Sequence, residues 1–373
     1  MRTIRILHTG DVHLGARFTF LGEKGGGHRR QLLSTFSRTV DLALAQQVDY
    51  FLICGDLFDS NQPPRSSLEG AVEELERLGA AGTEVLLVPG THDRLGKGCV
   101  YEDEIWGGLN RVHIFREEGW GEVFFPADRI VFHGWGYRGK HQGDVLEELR
   151  PSRETEGLRR VALLHGTFSD PGFPVEDEVT FSRPSLVTSG LDYLALGHWH
   201  SFRDLSTDEV GCAYCGSPEA LYPGQESGKV VVVTLGPQGR EIKPISMGKR
   251  SFSRLEVDLQ GVADEGALRR LIREQADMEK YLEVVLKGVC AWELPPDPRG
   301  LEEEMAHLFL GIRVRDESLP ASTGPSPRIA GGIVTGEFFR IASEEMAGAE
   351  GERRRICEEA LRLGLAYLEG RKS

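Results

Sequence analysis

Five short polar stretches of this chain carry side chains able to hold metal ions and move protons. Each follows an apolar run. Asp11 and His13 follow "IRIL", Gly55-Asp56 follows "YFLIC", and Gly90-Thr91-His92-Asp93 follows "EVLLV". His165 follows "RVALL", and Gly197-His198-Trp199-His200 follows "YLAL". Carboxylate and imidazole donors together suit Mn²⁺, Fe or Zn²⁺, and two cations held close together need a bridging carboxylate. Each piece alone has an ordinary explanation. A lone D-x-H or G-D is usually a polar turn, and a lone histidine is more often a hydrogen-bonded core residue. G-H-x-H is more specific, because one intervening residue on a strand puts both imidazoles on the same face. All five together, each at a strand end, point to a single site.

The surrounding pattern explains how such residues meet. "IRILHTGDVH" reads as a strand ending in polar residues. "RQLLSTFSRTVDLALAQQ" (30–47) has helical spacing, "YFLICGD" (50–56) is a second strand, "SLEGAVEELERLGAAG" a second helix and "EVLLVPG" a third strand. Alternation of this kind is an α/β signature. In an open α/β sheet, groups at the carboxyl ends of the strands converge on one crevice. Strands then dominate as far as "KVVVVTLG", and suit a second sheet packed on the first. The first domain is expected to span residues 1–248. From Phe252 a new β-α-β-α-β pattern predicts a small α/β domain over 250–318. "LPASTGPSPR" opens a Pro/Ser/Gly linker (319–332), and a charged, mostly helical tail is expected over 333–373.

Composition narrows the field. The chain has 373 residues, enough for two domains, and a net charge of −14. That balance argues against sequence-blind nucleic-acid binding through a broad basic surface, while leaving room for a local site where bound cations supply positive charge. An apolar content of 40% suits a large core and is too low for a membrane protein. The N-terminal apolar piece runs straight into polar residues, so it reads as a strand and not a signal peptide. Six cysteines in so long a chain make no disulfide framework, and a cytoplasmic location is expected.

The order D-x-H, G-D, G-N-H-[DE], H, G-H-x-H is the signature of the calcineurin-like metallophosphoesterases, and this chain resembles it. The stretches "ILHTGDVHLGARF", "FLICGDLFDSNQPP", "LALGHWHS" and "YCGSPE" are similar to those of the SbcD-type DNA repair exonucleases. These are nuclease subunits that partner an SMC-like coiled-coil ATPase. The motifs cover residues 4–218, and the small domain resembles the family only in topology. The resemblance implies a two-sheet sandwich flanked by helices, a small α+β capping domain and a helical C-terminal tail. It implies that Asp11, His13, Asp56 and His200 hold one metal. Asp56, His165 and His198 would hold a second, with Mn²⁺ foremost and Fe or Zn as alternatives. His92 would approach the scissile phosphate, with Asp93 orienting it. The family pattern has Asn where this chain has Thr91, whose hydroxyl is shorter and a weaker donor. Thr91 is therefore expected to be a weak ligand and the second metal to be held more loosely. The implied activity is metal-dependent hydrolysis of DNA phosphodiesters by a metal-activated water, as exonuclease and as single-strand endonuclease. The implied partners are DNA, the ATPase and a second copy of the chain, with no membrane. The alternatives are a phosphodiesterase on a small or cyclic nucleotide, and an inactive scaffold for the ATPase.

Other features carry weaker expectations. Cys212 and Cys215 lack a second ligand pair and are expected to be strand cysteines. "EKGGGHRR" (23–30) lacks the G-K-[ST] of a phosphate loop and is expected to be a mobile loop near Asp11 and His13. His8, His113, His133 and His141 are expected to be structural or surface residues, and Trp135 and Tyr137 core.

Overall fold

A computed structural model describes residues 2–150, 157–169, 179–223, 228–290, 296–320 and 333–368. The chain divides into two compact units, Met1–Ser251 and Phe252–Ser373.

In chain order the first unit opens with β1 (Ile4–Thr9), α1 (Gly25–Ala45), β2 (Tyr50–Cys54), α2 (Arg65–Ala80), β3 (Glu84–Val88) and β4 (Val112–Ile114). Then come β5 (Gly119–Phe125), β6 (Ile130–Gly136), β7 (Arg159–His165), the short pair β8 (Thr167–Ser169) and β9 (Thr180–Ser182), and α3 (Arg183–Thr188). It ends with β10 (Tyr193–Gly197), β11 (Arg203–Asp204), β12 (Gly211–Tyr214), β13 (Lys229–Gly236) and β14 (Gly239–Ser246). Two six-stranded sheets result, ordered β14-β13-β1-β2-β3-β4 and β11-β12-β10-β7-β6-β5.

Strands β1 to β4 run parallel, as do β6, β7, β10 and β12. Strands buried on both faces read as continuous apolar runs, which is what "YFLIC" and "YLAL" are. The core between the sheets takes Ile6, Leu52, Leu86 and Val88 from one and Phe132, Val161, Leu163 and Ala195 from the other. Helix α1 covers the outer face of the first sheet, with the Phe36 ring edge-on to Phe51 at 6.4 Å. Over the outer face of the second sheet lie Val145, Leu146 and Leu186, packed with Trp135, Tyr137, Leu164 and Leu196. Cys212 on β12 and Cys215, one residue past its end, bury in opposite cores, so they form no metal-binding pair. His8 is buried and bonded to the Tyr193 hydroxyl and the Leu196 carbonyl.

In the expected loop at 23–30, Glu23 and Lys24 close a 3-10 helix (Thr19–Lys24), and residues 25–30 are the first turns of α1. Three glycines disfavour helix intrinsically, but tertiary packing prevails. A Cβ on Gly25 would lie 2.7 Å from the Phe18 carbonyl oxygen, and buried His28 bonds through Nε2 to the Ala220 carbonyl at 2.8 Å.

The second unit contains β15 (Ser251–Asp258), α4 (Glu265–Arg273), β16 (Asp277–Lys287), β17 (Val289–Cys290), α5 (Pro298–Met305), β18 (Phe309–Asp316) and β19 (Leu319–Pro320). A three-stranded sheet, ordered β15-β16-β18, packs Leu282, Val284 and Phe309 against Leu268 and Ile272 of α4 and Leu301 and Met305 of α5. The stretch "LEEEMAHLFL" is therefore not one helix: Phe309 and Leu310 enter β18, which supplies them with strand partners and burial. The first two residues of the expected linker pair as a strand with β17, and 321–332 lie outside the described residues. The tail contains α6 (Ile333–Ala347) and α7 (Gly351–Leu368). Gly364 meets the Phe338 ring so closely that a Cβ there would overlap it. Among the described residues, no helix is long and apolar enough to cross a membrane.

Candidate metal centre

The carboxyl ends of β1, β2, β3, β7 and β10 deliver their side chains to one place. Beyond β1 and β2, the Asp11 N–H donates to the Gly55 carbonyl (3.1 Å) and the His13 N–H to the Asp56 carbonyl (3.0 Å). In the second sheet Gly197 stands opposite His165. Four of the expected residues, Asp11, His13, Asp56 and His198, adopt positive φ angles of 50°, 51°, 48° and 97°. Non-glycine residues rarely hold that conformation, and such strain concentrates at functional sites. Two glycines make the approach possible. A Cβ on Gly55 would lie 2.3 Å from Nδ1 of His165, and one on Gly90 would lie 2.3 Å from Oδ1 of Asp56.

Asp11, His13, Asp56 and His165 are all buried, and His198 and His200 only partly covered. Donor atoms of Asp11, His13 and His200 lie within 4.8 Å of one another, as do those of Asp11, Asp56 and His165. Oδ2 of Asp56 lies 3.7 Å from Nε2 of His13 and 3.4 Å from Nε2 of His165. Nε2 of His200 is 3.7 Å from Oδ1 of Asp11. Nδ1 of His198 sits 3.3 Å from Nε2 of His165.

Each buried imidazole is turned by a bond at its far nitrogen. His13 engages Asp59 Oδ1 through Nδ1 (3.3 Å), and His165 engages the Cys54 carbonyl through Nδ1 (2.9 Å). These contacts leave each Nε2 to face the cluster, as in metal-binding histidines. Nε2 of His13 is buried and, among the described residues, has no hydrogen-bond partner. An orphaned buried nitrogen is costly unless something else occupies its lone pair.

The electrostatics fit a cation as well. Burial, reinforced by the charge of Asp56, pushes the Asp11 carboxyl up to about 8. Burial also pushes Asp56 upward, but His165, His13 and His92 outweigh it and hold Asp56 at about 2. Burial lowers His165 to about 4, which keeps its ring neutral and ready to donate a lone pair. Two buried carboxylates this close repel one another, and a divalent cation between them offsets that repulsion. On all these grounds the donor set suits divalent cations.

His92 and Asp93 lie differently. His92 donates its main-chain N–H to Oδ1 of Asp56 (2.8 Å), and its Nδ1 meets the Asp59 carbonyl at 3.0 Å. Its ring is exposed, and among the described residues its Nε2 makes no hydrogen bond. Asp93 was expected to orient His92, and the hydrogen bonds it makes go to other groups of the two loops. Its buried carboxylate accepts from the Gly90 N–H (2.7 Å), the Phe58 N–H (3.1 Å) and the Tyr101 hydroxyl (2.6 Å). A carboxylate so placed ties the β3 loop to the β2 loop, and the orienting contact falls to Asp59. Thr91 donates its hydroxyl to Oδ2 of Asp56 at 3.1 Å.

Residues 4–202 match the model of the calcineurin-like phosphoesterase domain. The chain belongs to that family. Relatives include "Uncharacterized metallophosphoesterase YhaO" of Bacillus subtilis, 29% identical over 67% of this chain and 59% of that protein. They also include "DNA double-strand break repair protein Mre11" of Methanopyrus kandleri, 30% identical over 58% of this chain and 49% of that protein. The Mre11 protein of Sulfurisphaera tokodaii is 28% identical over 59% of this chain and 55% of that protein. The chain thus spans about half to three-fifths of the length of these curated relatives. Family membership makes this a phosphoesterase domain of a metal-dependent class, and the clustered aspartates and histidines are its candidate metal centre.

Proposed function

We propose that this chain is a two-metal phosphodiesterase that cleaves DNA, chiefly as an exonuclease. The observation that carries the reading is the place of Asp56, whose one carboxylate oxygen lies near His13 on one side and His165 on the other. A bridging carboxylate is what a two-cation site requires. Asp11, His13, Asp56 and His200 would hold one cation, and Asp56, His165 and His198 the other. Hard oxygen and imidazole donors favour Mn²⁺, with Fe and Zn²⁺ next. Divalent cations held by these residues would supply polarisation of the phosphoryl oxygens and a more acidic water. The exposed His92 ring would stabilise or protonate the leaving oxygen.

The DNA substrate is suggested by the Mre11 relatives. The net charge of −14 favours the rival reading, a small or cyclic nucleotide diester. An assay with Mn²⁺ on single-stranded DNA and on cyclic nucleotides separates them. We expect chelator-sensitive release of nucleotides from DNA and little turnover of the cyclic compound. The reverse preference would overturn the DNA assignment, and no turnover of either would leave only the scaffold reading.

Thr91 should set the weaker of the two affinities, because its hydroxyl is on a shorter side chain and is a weaker donor than the amide oxygen of the family's Asn. A Mn²⁺ titration followed by calorimetry should show two unequal steps. In Thr91→Asn the amide oxygen reaches further, and the weaker step should move to roughly tenfold lower metal concentration. A single tight step, unmoved by the substitution, would mean that Thr91 is no defect.

A coiled-coil ATPase partner is proposed for the tail. Val334 and Ile341 recur seven residues apart on α6 and are 68% and 48% exposed. On α7, Ile356 is 62% exposed. These side chains, and not Phe338, present the apolar stripe. Deleting 333–373 should abolish co-purification with the ATPase and spare hydrolysis of short DNA. Retained co-purification would place the contact elsewhere.

A further inference from the structure

Beside the metal centre the first unit opens into a cleft of about 680 Å³, and Asp59, which turns both His13 and His92, lies in its wall. In a strongly acidic protein this cleft has two arginines. Arg17 is exposed and makes no hydrogen bond or ion pair among the described residues. Arg29 donates Nε–H to the Ala16 carbonyl (3.1 Å), which fixes the side chain, and among the described residues its terminal amino groups are unengaged. Neither arginine pairs with Asp59, whose carboxylate is spent on His13. The same cleft exposes two aromatic rings, Phe20 at 37% and Tyr222 at 42%. The Tyr222 ring lies nearly parallel to His200, 18° between planes and 6.5 Å between centroids, so it stands at the edge of the metal cluster.

Unpaired guanidiniums recognise phosphate, and exposed aromatic faces stack on unpaired bases. We propose that this cleft binds the nucleotide next to the scissile bond in single-stranded form. Arg17 and Arg29 take its outer phosphate, and Tyr222 and Phe20 take its base. The proposal rests on the phosphodiesterase reading above and adds a strand state to it. Bases held in a duplex have no free face for Tyr222, so single strands should bind in preference to duplex.

The test is equilibrium binding of a phosphorothioate-linked oligothymidylate, which keeps the backbone charge and resists hydrolysis. Affinity is measured by fluorescence anisotropy between about 50 and 200 mM salt. Arg17→Gln should weaken binding and reduce the slope of log affinity against log salt by about 0.7, the share of one phosphate contact on a single strand. Arg17→Lys should keep the slope. Tyr222→Ala should weaken binding by about 5- to 150-fold with the slope unchanged, and Tyr222→Trp should restore it. A loss that is equal for Gln and Lys, or for Ala and Trp, would mark a merely structural effect and overturn the proposal. Unchanged binding in Arg17→Gln and Tyr222→Ala would overturn it too. Hydrolysis of methyl p-nitrophenyl phosphate by the wild-type protein tests the underlying reading by itself, since that ester carries neither base nor outer phosphate.

Discussion

Replacing Asp56 with Asn is expected to weaken both cation sites together and lower phosphodiester hydrolysis by about 10³-fold or more. Asp56 is 2% exposed, and its Oδ2 lies within 3.7 Å of both His13 and His165. An amide keeps the shape: its oxygen can still accept from the His92 N–H, and its NH2 can donate to the Thr91 hydroxyl oxygen in place of the lost acceptor, so the fold should hold. What disappears is the negative charge between two dications. Metal assistance is worth several kcal/mol of transition-state stabilisation, and each 1.36 kcal/mol is tenfold in rate. Elemental analysis and Mn²⁺-dependent rates, with near-ultraviolet circular dichroism as the folding control, check the result. Near-normal hydrolysis in Asp56→Asn would show that the bridge lies elsewhere.

Replacing His92 with Gln should separate chemistry from metal binding. Turnover should fall by roughly 10²- to 10⁴-fold, the usual worth of a positioned acid or base, while metal content stays at the wild-type level. The geometry poses a real choice here, because donor atoms of His13, Asp56 and His92 also lie within 4.8 Å of one another. We favour a role on substrate. The His92 ring is 46% exposed and anchored through Nδ1 to a main-chain carbonyl, whereas the other clustered histidines are buried or partly buried. Loss of metal from His92→Gln, measured by elemental analysis, would make it a ligand instead.

The convergence of Asp11, His13, Asp56, His165, His198 and His200 was legible because a parallel sheet aligns its strand ends. Apolar runs marked those ends without any need for side-chain detail. Asp59 was not singled out, although it stands three residues beyond Asp56 in "GDLFDSNQPP". Its role depends on which imidazoles come within reach once the loop folds, and no spacing rule encodes that. The bonds of Asp93 were not legible for the same reason: the resemblance implied a role beside His92, while the folded loop turns its carboxylate towards Gly90, Phe58 and Tyr101. The start of α1 was missed because local propensity at three glycines pointed the other way, and the deciding contacts come from Phe18 and Ala220. In the tail, the apolar pattern of "GEFFRI" was visible, but the close meeting of Phe338 and Gly364 needs both helices in place.

The most direct measurement is anomalous scattering at the manganese absorption edge from crystals of this protein grown with Mn²⁺. Two peaks should flank Asp56, one bounded by Asp11, His13 and His200 and the other by His165 and His198. A single peak, or peaks that leave Asp56 out of contact, would contradict a two-metal centre bridged by that carboxylate.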